Sequence, residues 1–151
     1  MGTATLDRPK AEPSFYEADE TGWLEHMARC IAEGRIEELD LPHLQEYLTD
    51  MDTSDRREVF SRLRLLLSHW LKWEFQPEHR SKSWQGTIRE QRNELELILN
   101  AATLRNHAHQ ILDAVYDKAA ADAAEETGLP RTAFPAANPH TLEDWLALSF
   151  G

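Results

Sequence analysis

Val59, Leu63, Leu66, Trp70 and Trp73 step along the chain by 4, 3, 4 and 3 residues. That spacing returns to one face of an α-helix at every turn, whereas a strand would send neighbours to alternate faces. Phe60, Leu67 and Leu71 widen the apolar seam, so this helix is expected to be central to the fold. The Asp52-Thr53-Ser54-Asp55 cluster offers capping oxygens and negative charge for a helix start, and Pro77 closes the element. The expected span is therefore residues 53–75.

The remaining segments carry the same helical period. Trp23, Met27 and Cys30, with Leu24 and Ile31, form a stripe on a helix running from Asp19 to Gly34, and glycine suits the left-handed position past a helix end. Asp40 and Pro42 open a short helix whose inner face is expected to be Leu44, Leu48 and Met51. A helix over 83–100 carries Trp84, Ile88, Leu95, Ile98 and Leu99, so that 53–75 and 83–100 form a central helical hairpin. Ala108, Ile111, Val115 and Ala119 mark a helix from Leu104 to Thr127, ended by Gly128-Leu129-Pro130. A short helix after Thr141 is anchored by Trp145 and Leu148. No segment alternates with period two for long enough to make a strand. The expected fold is all-α, a compact bundle of five or six helices.

The chain has 151 residues, which is one domain's worth and enough to bury a core without disulfides or metal. Residues 1–14 hold two prolines and little apolar surface and read as a disordered tail, leaving 15–151 as a single helical domain. The single cysteine, Cys30, excludes a disulfide framework and fits a reducing compartment, so a cytoplasmic location is expected. No apolar run is long enough to span a membrane.

Charge is unevenly placed. The net charge is −11, yet residues 56–92 carry 9 basic and 4 acidic groups. Residues 1–55 carry 4 basic and 14 acidic groups, and residues 93–151 carry 3 and 9. Arg57, Ser61, Arg64, Ser68 and Lys72 share one polar face of the long helix, and Gln85, Arg89 and Arg92 share one on the next. Pairing of these cations with the acidic flanks is the favoured reading, and a site for an anion or an acidic partner is the alternative. The loop from Lys72 to Trp84 interleaves Trp73, Phe75 and Trp84 with Lys72, Gln76, Arg80 and Lys82. Such a mixture either stacks bases or clamps a loop through cation–π contacts. Arg80 is expected to pin the C-terminal carbonyls of the long helix, and Lys72 to be dispensable for stability.

Residues 61–95 resemble the centre of a bacterial family known as domain of unknown function 29. The matching residues are His69, Lys72, Trp73, Gln76, Pro77, Arg80, Ser81, Ser83, Trp84, Thr87, Ile88, Gln91 and Arg92. The flanks match as well, at Tyr16-Glu17, Trp23-Leu24, Glu38-Leu39-Asp40 and Glu126 to Pro130, so the resemblance covers about residues 15–148. Trp70 departs from the family, which more often has leucine there. The resemblance implies a small helical protein and no particular activity.

Catalytic and metal-binding patterns are weak. No two of the seven histidines stand three or four residues apart, as a two-ligand helical metal site requires, so no metal or cofactor is expected. His69 lies among core residues and reads as structural, as does Cys30 on its apolar stripe. No nucleophile elbow, phosphate-cradling glycine loop or zinc-protease motif is present. The favoured function is thus a non-enzymatic module that binds a protein partner through its helical hairpin. The alternative is a nucleic-acid or phosphate binder using residues 56–92. For either, the expected contact surface comprises Arg57, Arg64, His69, Lys72, Gln76, Arg80, Trp84, Arg89 and Arg92.

Overall fold

A computed structural model of the chain describes residues 14–150. Six α-helices follow in order: α1 (Phe15–Ala18), α2 (Glu20–Ala32), α3 (Leu41–Phe75), α4 (Lys82–Ile98), α5 (Ala102–Thr127) and α6 (Leu142–Ala147). No strand occurs among the described residues, and the fold is all-α. The expected tail lies outside the described residues except for Ser14, whose hydroxyl accepts from the Glu17 amide and caps α1.

The short helix and the long helix expected from the sequence are one 35-residue element, α3. The acidic cluster at Asp52 to Asp55 lies within it and caps nothing. Instead, the Asp52 carboxylate accepts from Arg56 Nε one turn later, at 3.2 Å, a side-chain pair that a continuous helix supports. The cap belongs to Asp40, which accepts from the His43 amide, and Pro42 sits in the first turn, where no intrahelical amide partner is lost.

Elsewhere the start and stop signals hold. Asp19 caps α2, Ser81 caps α4 and Thr141 caps α6, each accepting from an amide three residues on. Gly34 and Gly128 adopt φ of 71° and 74°, the left-handed conformation that ends a helix at no steric cost to glycine.

The chain divides into two compact units at Asp50/Met51. In the first, Tyr16, Trp23 and Met27 are buried, with Leu24, Leu39, Leu44 and Tyr47 packed around them. In the second, the seam of Val59, Leu63, Leu66, Trp70 and Trp73 is buried together with Leu67 and Leu71. The same core takes Ile88, Leu95 and Leu99 from α4 and its C-terminal end, Ala108, Leu112, Val115, Tyr116 and Ala119 from α5, and Trp145 from α6. Alanines at 119, 120 and 123 are fully buried, which lets other groups approach that stretch of α5 closely.

Candidate functional site

The basic segment is largely engaged within the second unit. Arg64 makes a two-pronged bond to Asp122 on α5, Nη2 to Oδ1 at 2.7 Å. Two turns further along α3, Lys72 Nζ donates at 2.6 Å to Glu126, which stands one turn past Asp122 on α5. Arg62 bonds Glu58 at 2.8 Å and reaches the buried Gln91 of α4 at 3.1 Å. The C-terminal part of the polar face of α3 therefore packs against its neighbours, while Arg57 and Ser61 stay exposed. Ser68 and Lys72 are buried on it, and Lys72, expected to be an expendable surface cation, is only 6% exposed. Asp122 and Glu126 stand one turn apart on α5, and each takes one cation of α3.

His69 donates from Nδ1 to the Leu65 carbonyl at 2.8 Å, since a carbonyl can only accept. Burial pushes its imidazole below the ordinary histidine value, against the opposing pull of that carbonyl. His69 is thus tied to its own helix by that bond.

The loop after α3 is held as a pin. Arg80 Nε donates to the Trp73 carbonyl at 2.8 Å, and its guanidinium lies 4.8 Å from the Trp73 ring centre. Both contacts favour a cation at the C-terminal end of a helix. Lys72 Nζ stands 5.3 Å from the Trp84 ring centre. Gln76 follows the last turn, its amide bonded to the Lys72 carbonyl. Arg89 and Arg92 stand over Phe150 and Trp70 at 5.2 and 5.9 Å. Arg57 is exposed beside Thr53, Phe60 and Ile111 and has no ion-pair partner among the described residues.

The nine residues of the expected contact surface are therefore spread among several roles. Lys72 and Trp84 come together, Arg80, Arg89 and Arg92 stand over the connected rings of Trp73, Phe150 and Trp70, and Arg64 is taken by Asp122.

The first unit contains a polar cluster that sequence reading missed. His43 Nδ1 lies 2.6 Å from Asp40 Oδ2, and the Tyr16 ring stacks on the imidazole with centroids 4.6 Å apart. The Asp40 hydrogen bond raises the His43 pKa, and the same bond lowers that of Asp40. The i, i+3 spacing across the start of α3 was the available signal. Cys30 Sγ lies 3.7 Å from His26 Nε2, one turn earlier on α2, a Cys/His spacing that histidine-to-histidine distances do not register. The thiol is fully buried, which fits a structural role.

The first unit also exposes apolar side chains. Phe15, Ile31, Ile36, Leu41 and Leu48 are exposed, Leu41 and Leu48 each at 63%. Leu48 and Met51, expected on an inner face, are both exposed. Helical geometry accounts for Leu48: four residues after Leu44 it is rotated about 40° further round the axis, and Tyr47 takes the inward place. Leu41 and Leu48, two turns apart, share a face. Between Ser14 and Asp50 there are ten carboxylates and two cations, Arg29 and Arg35, a net charge of −8. Arg35 is itself bridged by Glu33 and Glu38 at 2.8 and 3.0 Å.

Neither curated proteins nor solved structures give a match to this chain. The family model described as Domain of unknown function DUF29 matches residues 15–151. That span takes in every helix described above, and the chain belongs to this family.

Proposed function

We propose that the protein is a non-enzymatic helical interaction module that docks a protein partner through its first unit. One observation carries this reading: five of the eight large apolar side chains exposed among the described residues lie between Phe15 and Leu48. Single exposed leucines are ordinary on any surface, but a concentration of them in a small acidic unit marks a contact surface. The helical hairpin is a poorer surface, because Arg62, Arg64 and Lys72 are already bonded to Glu58, Asp122 and Glu126. The same pairing weakens the alternative of a nucleic-acid binder, which needs unpaired cations to displace counterions.

Photo-crosslinking tests the proposal. A photoreactive residue placed at Leu48 should yield a discrete protein adduct in the cells that make the protein, and the adduct should disappear when Leu41→Glu is added. The same probe at Leu97, which is 74% exposed on α4, should yield none. Equal adducts from both positions would overturn the assignment to the first unit.

A further inference from the structure

Resting on that reading, we infer that the partner presents a basic amphipathic helix, with leucine-like side chains on one face and Lys or Arg beside them. The apolar half of the argument is geometric. Leu41 and Leu48 stand two turns apart on α3, each 63% exposed, and Leu44 between them joins the core of the unit. A helix laid along this face would offer its own anchors at the i, i+3, i+4 and i+7 positions. Ile31 and Ile36, at the end of α2 and in the turn after it, are also more than half exposed.

The electrostatic half selects the partner. Residues 41–50 carry no Lys or Arg, and Glu46 and Asp50, about 140° and 180° round α3 from Leu41, add to the unit's net charge without standing on the leucine face. The unit's −8 charge would repel a second copy of itself, an acidic helix or an anionic membrane. A cationic helix has its charge matched and can bury its apolar face on the leucines. Complementary charge of this kind speeds encounter and selects partners more than it adds affinity. Leucine burial must supply most of the affinity.

The experiment uses the full chain and a fluorescently labelled synthetic amphipathic helix of Leu and Lys, about five turns long. A second probe replaces every Lys with Glu, and a third scrambles the Leu/Lys order. Saturable binding is expected for the first probe alone. Leu48→Glu should weaken it at least about tenfold, the worth of burying one leucine. Raising salt from about 50 to about 500 mM should weaken it as well. Circular dichroism of each variant checks that the helices persist.

Equal binding of the Leu/Glu probe, or binding insensitive to salt, would overturn the basic partner while leaving an interaction surface in place. Binding unaffected by Leu48→Glu would overturn both the partner and the face. Sedimentation showing a dimer that Leu48→Glu dissociates, with no probe binding, would make a second copy the occupant and overturn the inference. No saturable binding of the Leu/Lys probe by a monomeric chain would overturn it too, leaving the crosslinking result to decide the broader reading.

Discussion

Lys72 is the residue whose role burial changes most. Its ammonium bonds Glu126 at 2.6 Å and its stem is almost wholly covered, so removing it strips a charged hydrogen bond and packed methylenes together. Lys72→Ala is expected to cost about 1–3 kcal/mol in denaturant titration, at least as much as Arg80→Ala. Lys72→Met keeps the stem and frees an exposed carboxylate to rehydrate, so it should retain more stability than Lys72→Ala. A near-neutral Lys72→Ala would show that Glu126 contributes nothing there.

His43 is a second residue with a measurable signature. Its pKa is raised above the ordinary 6.5 by the Asp40 bond, so its contribution is complete below that value and is lost as pH rises through the folded pKa. Asp40 is lowered from 3.8, so its contribution is complete above that value and is lost as pH falls through its folded pKa. The pair should therefore support the first unit most between about pH 4 and about pH 6.5, and fade on either side. The ring signal of Tyr16, stacked on His43, reports it locally. In His43→Asn the decline above about pH 6.5 should be absent; an unchanged pH profile would remove His43 from the account.

At the scale of elements, α3 is where sequence and structure part. Capping residues at Asp52 to Asp55 have the composition of a helix start, but side-chain oxygens cap only where amides lack partners. Inside a helix the same carboxylates turn to cations one turn away, as Asp52 does to Arg56. This difference has a direct test. Proline at Thr53 would be tolerated in the first turn of a helix that began there. Within continuous α3 it removes a backbone bond and clashes with the preceding turn, so Thr53→Pro is expected to cost about 3 kcal/mol or more. Loss of helical dichroism in that variant, or a large fall in its melting temperature, confirms the continuous helix; a wild-type melt restores two helices.

Across the whole molecule, charge matching within the second unit governs what the protein can attract. The chain's basic run, residues 56–92, carries +5, but Arg56, Arg62, Arg64 and Lys72 from that run have carboxylate partners. A single-stranded DNA oligonucleotide should accordingly show no saturable binding at about 150 mM salt up to about 100 μM protein, the weak end of non-specific binding. Saturable binding that weakens steeply with salt would make the exposed arginines of this run a phosphate site despite the internal pairing.

Much of this molecule was legible from its residues alone. The 4-3-4-3 seam, the caps at Asp19 and Thr141, and the stops at Gly34 and Gly128 are local codes, since each depends on neighbours within one or two turns. They determined an all-α chain, the identity of most core side chains, and Arg80 as a pin on the end of α3. What the local code could not carry is direction. Whether Lys72 meets water or Glu126 depends on a residue 54 positions away, and whether Leu48 is covered depends on which side of α3 Tyr16 and Trp23 occupy. Helical period places residues on a face but does not say what stands opposite it. That is decided by tertiary packing, because desolvation and pairing are properties of the space between elements.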